Sequence, residues 1–180
     1  WEAVDILAGA ARTAEFRQKS PHGRVPVLEL EDGRCLPESN AILCYLAEGT
    51  PWLPGDRFAR ATVLRWLFFE QNNHETTIAV SRALCSGYYD AVLDPEQRAA
   101  RLAQLRDPGL AALTTVERRL EQGDWIAADR ETVADLALYA YTHTAGEGGF
   151  ELDAFPATQA WLARVAAHPR HLGLADLASR

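Results

Sequence analysis

The segment GTPWLPGD, residues 49–56, constrains the fold more than any other, because the hydrophobic pattern changes character across it. Glycine and proline supply turn conformations and interrupt both helices and strands, so a cluster of them reads as a linker. Before it, stretches of period two and period 3.6 are mixed. After it, apolar residues recur at helical spacing only, as at Leu64, Leu67 and Phe68 and again at Ile78 and Leu84. A chain of 180 residues is long enough to bury a core, as one domain or as two small ones. The expected organisation is an α/β domain over residues 1–49, a linker over 50–56 and an all-helical domain over 57–180.

Within the first part, WEAVDIL (1–7) alternates and is rich in strand formers, so a strand is expected there. RTAEFRQKS (12–20) reads as a short helix ending near Pro21 and Gly23. VPVLEL (25–30) reads as a strand, EDGR (31–34) as a hairpin turn, and residues 34–36 as the returning strand. A helix follows from Ser39 or Asn40 to about Glu48, with Ile42, Leu43 and Leu46 on one face. In the second part, LDPEQR (93–98) starts a helix with Asp94 as N-cap and Pro95 at the first helical position. RDPG (106–109) is expected to break or sharply kink that helix before Leu110, Leu113, Val116 and Leu120 resume the stripe. Two further helices are expected over residues 131–143 and 155–169, the first opened by a Thr132–Asp135 capping box whose role is stability.

Composition narrows the function. A formal charge of −7 without a basic stripe argues against a nucleic-acid partner. No run approaches the roughly 20 apolar residues that span a bilayer, and no signal peptide is read at the start, so a membrane partner is not expected and a cytoplasmic location is. The three cysteines, Cys35, Cys44 and Cys85, lack CxxC spacing and are expected as reduced, mostly buried thiols. No metal site is expected, since HETTI at His74 lacks the second histidine of HExxH. Lys19 is the only lysine, which hints at a GC-rich bacterial genome. Methionine is absent even at position 1, so the native start is expected to lie upstream of Trp1.

Three places carry candidate chemistry, each with a bland alternative. Pro26 removes a ladder donor from a strand pattern, which implies an edge strand or a special backbone such as a cis peptide. Beside it, free backbone groups could pair with an extended peptide ligand, or with nothing. Glu38 and Ser39 stand at a helix start, where unpaired N–H groups and the positive dipole end attract carboxylates. A ligand bearing a carboxylate and an ammonium suits the pair, and a plain N-cap is the alternative. EQNNHE (70–75) sets six polar residues into an apolar-periodic helix in which Trp66, Phe69 and Asn73 share one face. That face is either solvated, or borders a cleft or a subunit contact.

GRVPVLELEDGRCLPESNAILCYL (23–46), ETVADLALYAY, RWLFFEQNNHETTIAVSRAL and GGFELDAFPATQAWLARVAAHP together resemble the glutathione transferase family, in matching order and over essentially the whole chain. The resemblance implies an α/β thioredoxin-like N-terminal domain, incomplete here, followed by an all-α helical-bundle domain, and a homodimer. It implies that Val25 holds the cysteinyl part of glutathione through its backbone, that Pro26 is the family's cis-proline, and that Glu38 and Ser39 bind the γ-glutamyl end. Arg24 would reach the glycyl carboxylate, and Trp66, Phe69 and Asn73 would border the second-substrate pocket or the dimer interface. The implied activity is glutathione transfer to an electrophilic, partly apolar substrate, with glutathione a co-substrate and no metal or bound organic cofactor. The Tyr, Ser or Cys that activates the thiol is expected N-terminal to Trp1, so no catalytic residue is assigned within the chain. A non-catalytic scaffold, or a glutathione-dependent reductase or peroxidase, are the alternatives.

Overall fold

A computed structural model gives the fold and describes residues 1–173. Two compact units divide at Gly55 and Asp56. The first holds a 3₁₀ turn (Ala10–Arg12), α1 (Ala14–Lys19), β1 (Val27–Glu29), β2 (Cys35–Pro37) and α2 (Ser39–Ala47). The two strands are antiparallel, with Leu28 opposite Leu36. Their turn is closed by the Leu30 N–H donating to the Arg34 carbonyl at 2.9 Å, and Gly33 takes the left-handed conformation it needs, at φ 82°. Thr13 caps α1 by accepting from the Phe16 N–H at 3.2 Å. At its other end α1 is tied to β1 by Lys19 and Glu29, 2.6 Å apart.

The expected strand over residues 1–7 is not formed. The Asp5 carboxylate accepts the Ala8 N–H at 2.8 Å and the Asp5 carbonyl accepts the Ala10 N–H at 3.0 Å, closing a turn instead. Among the described residues the sheet has two strands. Alternation marks a residue pattern, but a strand also needs a neighbour to take its backbone groups, and no sequence pattern guarantees one. The returning strand lies one residue later than expected, at Cys35–Pro37.

In the second unit, α3 (Arg57–Phe69), a π-helical segment (Glu70–Ala79) and α4 (Val80–Cys85) follow one another with helical backbone throughout. Asp56 caps α3 by accepting from the N–H groups of Phe58 and Ala59 at 3.1 and 2.8 Å, so it opens the helix rather than belonging to the linker. Helix α5 (Pro95–Leu120) starts at the Asp94–Gln97 capping box. It then runs unbroken through Pro108, against expectation. A proline removes one helical donor and crowds the preceding turn. That local cost is outweighed by the buried face of α5, formed by Leu105, Gly109, Ala112, Leu113, Val116 and Leu120. Helices α6 (Val133–Thr142) and α7 (Pro156–Ala166) complete the unit around a core that includes Ile78, Leu113, Ala145, Phe150 and Phe155.

Two buried carboxylates lock these helices together. Asp135 accepts from the N–H groups of Ile126 and Thr132, the Thr132 hydroxyl and the Trp161 indole, all at 2.9–3.0 Å. Glu117 on α5 accepts from the Ala157 and Thr158 N–H groups and the Thr158 hydroxyl at 2.7–2.9 Å, capping α7 from another helix. The thiols are less buried than expected. Cys35 and Cys44 are half-buried and Cys85, the last residue of α4, is exposed. A small two-stranded sheet cannot cover both faces, and a helix end is open to solvent.

Candidate functional site

The first candidate region is the turn that joins α1 to β1. Ser20 is 1% exposed, and its hydroxyl accepts the Arg24 N–H at 3.1 Å. Gly23 donates to the Ser20 carbonyl at 2.8 Å with φ at 64°. The Val25–Pro26 peptide that follows is cis. Val25 lies outside the ladder, which begins at Val27, and is exposed. Arg24 is exposed beside it. A cavity of about 680 Å³ opens against Val25, Pro26 and Val27, with Trp1, Phe16 and Lys19 among its other walls. Proline has no N–H to donate, so the ladder does not extend back through Pro26 to exposed Val25.

The second region is the start of α2, in the same unit. Glu38 has φ 77° and ψ 112°, and among the described residues it is the one residue other than glycine with positive φ. An ordinary N-cap is extended and spends its side chain on the first turn, as Thr13 and Asp56 do here at φ −64° and −62°. Glu38 does neither: no side-chain hydrogen bond caps α2. Glu38 is thus not a side-chain cap of α2. Its exposed carboxylate stands beside half-buried Ser39, the first residue of α2, at the positive end of the helix dipole. Such an array can accept an ammonium at Glu38 and a carboxylate at Ser39 and the helix end. The strained backbone is the feature that sequence reading misses, because Glu is an unremarkable residue before a helix.

In the second unit, Trp66 and Phe69 touch edge to face, with ring centroids 5.2 Å apart. Trp66 is buried, Phe69 half-buried and Asn73 exposed. The three do not share one face, because the backbone widens from α to π geometry at Glu70 and shifts the register of everything after it. Phe69 and Asn73 line a hollow of about 390 Å³ with Pro108, Ala111 and Thr115 of α5, and Trp66 is absent from its lining. The EQNNHE segment is mixed rather than a uniformly solvated stripe: Glu70 and His74 are buried, Gln71 and Glu75 half-buried, and Asn72 and Asn73 exposed. The Gln71 amide donates to Glu70 at 2.8 Å and to Glu75 at 2.6 Å. Burial pushes the Tyr141 hydroxyl up to about 12, helped by the nearby Glu75 and Glu70 carboxylates.

The sequence profile described as Glutathione S-transferase, N-terminal domain, matches residues 1–48, and that of the C-terminal domain matches residues 83–169. A Fusarium sp protein, Glutathione S-transferase-like protein LUC7, is 32% identical over 166 residues, which is 86% of this chain and 71% of its own. The chain belongs to the glutathione S-transferase family. Among solved structures, a glutathione S-transferase from Pseudomonas fluorescens is 47% identical with a TM-score of 0.90, over 96% of this chain and 84% of that one. One from Xanthobacter autotrophicus is 45% identical with a TM-score of 0.89, over 99% and 85%. The fold is accordingly the family's: the first unit is its thioredoxin-like domain, here with two strands among the described residues, and the second is its helical domain.

Proposed function

We propose that the chain binds reduced glutathione at Arg24, Val25, Pro26, Glu38 and Ser39, and serves its transfer to an electrophilic, partly apolar substrate in a cytoplasm. The observation that carries this reading is the backbone of Glu38. A residue held at φ 77° and ψ 112° costs folding free energy, and such cost concentrates where a ligand needs an unusual geometry. Glutathione's γ-glutamyl end carries an ammonium and a carboxylate side by side. The Glu38 carboxylate meets the first, and the Ser39 hydroxyl with the α2 N–H groups meets the second. The Val25 backbone takes the cysteinyl segment, with cis-Pro26 keeping that edge free of a ladder partner. Arg24 reaches toward the glycyl carboxylate.

In the transfer itself, the glutathione thiol first gives up its proton. The thiolate then gives its electron pair to the electrophilic carbon, and as the new S–C bond forms the carbon's bond to its leaving group breaks, that group departing with the bonding pair. The residues named here bind and orient; none is assigned the deprotonation. The helical unit is proposed to supply the second-substrate wall or a homodimer contact through Phe69 and Asn73, with buried Trp66 backing Phe69. In support, Phe58 and Phe68 on the same helix are 82% and 65% exposed. Calorimetric titration of glutathione into the protein tests the site. Ser39→Ala and Glu38→Gln are each expected to weaken binding by about tenfold or more, the value of a charge-assisted hydrogen bond. Unchanged affinity in the folded variants would sink it.

A further inference from the structure

We infer that Ser20 is a positioning residue for glutathione, acting through the backbone of Arg24 and Val25 without touching the ligand. The inference rests on the reading above. Ser20 is 1% exposed, in a turn whose neighbours Pro21 and His22 are open to solvent. Its three polar groups are each used to shape that turn. The Ser20 N–H donates to the Phe16 carbonyl at 2.9 Å, which ends α1. The Ser20 carbonyl accepts the Gly23 N–H at 2.8 Å, and the hydroxyl accepts the Arg24 N–H at 3.1 Å. The hydroxyl therefore holds the peptide unit that immediately precedes Arg24, and Val25 is the next residue.

The opposite side of the turn is equally fixed. A Cβ on Gly23 would stand 2.7 Å from the Ala11 carbonyl oxygen, and Ala11 is buried. The chain is thus pressed onto the 3₁₀ turn on one side and tied to Ser20 on the other. Pro26 then restricts Val25 to extended geometry. Between these two restraints the direction of the Val25 N–H and C=O is set before any ligand arrives, which lowers the ordering cost of binding. Without the Ser20 hydroxyl, the Arg24 N–H loses its partner and this part of the turn is free to rotate.

The test is glutathione titration and thermal melting of the full chain as wild type, Ser20→Ala, Ser20→Thr and Thr13→Ala. Ser20→Ala is expected to weaken glutathione binding by about five- to tenfold, the value of one net hydrogen bond. Ser20→Thr keeps the acceptor and should restore affinity to near wild type. Thr13→Ala removes the cap at the other end of α1 and should lower the melting temperature while leaving affinity unchanged. Equal affinity in wild type and folded Ser20→Ala overturns the inference and leaves the glutathione site standing; absence of binding in wild type overturns that site itself. Should Ser20→Ala not fold, amide exchange of the wild type decides. The Arg24 N–H is expected to be protected without ligand, and exchange at the open-chain rate overturns the inference.

Discussion

The Nε2 atom of His74 stands 2.9 Å from the Oγ1 atom of Thr142, joining the π segment to α6 in the interior of the helical unit. Thr142 has one hydroxyl proton, and it is donated to the Leu138 carbonyl at 2.7 Å. Thr142 must therefore accept from His74, which fixes the imidazole as the Nε2–H tautomer. Its Nδ1 is left buried with a bare lone pair and no protein partner. Protonating that atom would put an unpaired charge in the interior.

Acid should therefore weaken the helical unit through His74. Burial lowers the group to about 4 from its ordinary 6.5. The unfolded chain takes up the proton first, so this contribution is complete above the ordinary value and is lost as pH falls from 6.5 toward 4. At pH 4.5 the loss is roughly 2–3 kcal/mol. Denaturant unfolding of wild type and His74→Gln at pH 7 and pH 4.5 checks it. The fall in stability between the two pH values should be smaller in the variant by about that amount, and an equal fall in both would refute the assignment.

Asp135 is expected to act on stability alone. Its carboxylate satisfies four donors from three parts of the helical unit: the residues before α6, the loop at Ile126 and the indole of α7. Asp135→Ala leaves those donors buried and unpaired, and should cost about 3 kcal/mol or more. Glutathione affinity of whatever fraction remains folded should match wild type. A matched loss of affinity would mean that this helix start communicates with the ligand.

Gly109→Ala should destabilise the protein although alanine is the better helix former. A Cβ at this position would lie 2.3 Å from the Phe150 ring, which is 1% exposed and has nowhere to move. Alanine gains about 1 kcal/mol of helix propensity, and overpacking a rigid core costs about 1–3 kcal/mol or more. The expected net effect is a lower melting temperature. A higher one would show that the ring relaxes at little cost.

These residues also mark how far sequence reading reaches. The Asp94 cap with Pro95 after it and the Thr132–Asp135 box were legible because their signals lie within a few residues of one another, and local spacing is what a sequence displays. The Asp-Gly hairpin was legible for the same reason. Pro108 misled because its cost is local while the packing that outweighs it comes from distant residues such as Phe150. Residues 1–7 misled because alternation states a preference and not a pairing. Glu117 and His74 were invisible in their roles, since their partners lie 40 or 41 and 68 positions away. At the candidate site, the residue types at Glu38 and Ser39 could be picked out, but the backbone angle that separates them from an ordinary cap could not.

That angle permits a last prediction in which stability and binding move in opposite directions. At φ 77° the Cβ of Glu38 is crowded by its own backbone, a conflict that glycine lacks. Glu38→Gly should relieve it and raise folding stability by about 1 kcal/mol, less whatever the more flexible unfolded chain takes back. The same change deletes the carboxylate proposed to meet the ligand's ammonium, so glutathione affinity should fall as it does in Glu38→Gln. Paired melting and titration of the two variants distinguishes the causes. Glu38→Gln keeps the Cβ and should lose affinity without gaining stability, whereas Glu38→Gly should do both. If Glu38→Gly is instead less stable than Glu38→Gln, the backbone at this position carries no strain, and the main support for a ligand at the start of α2 falls with it.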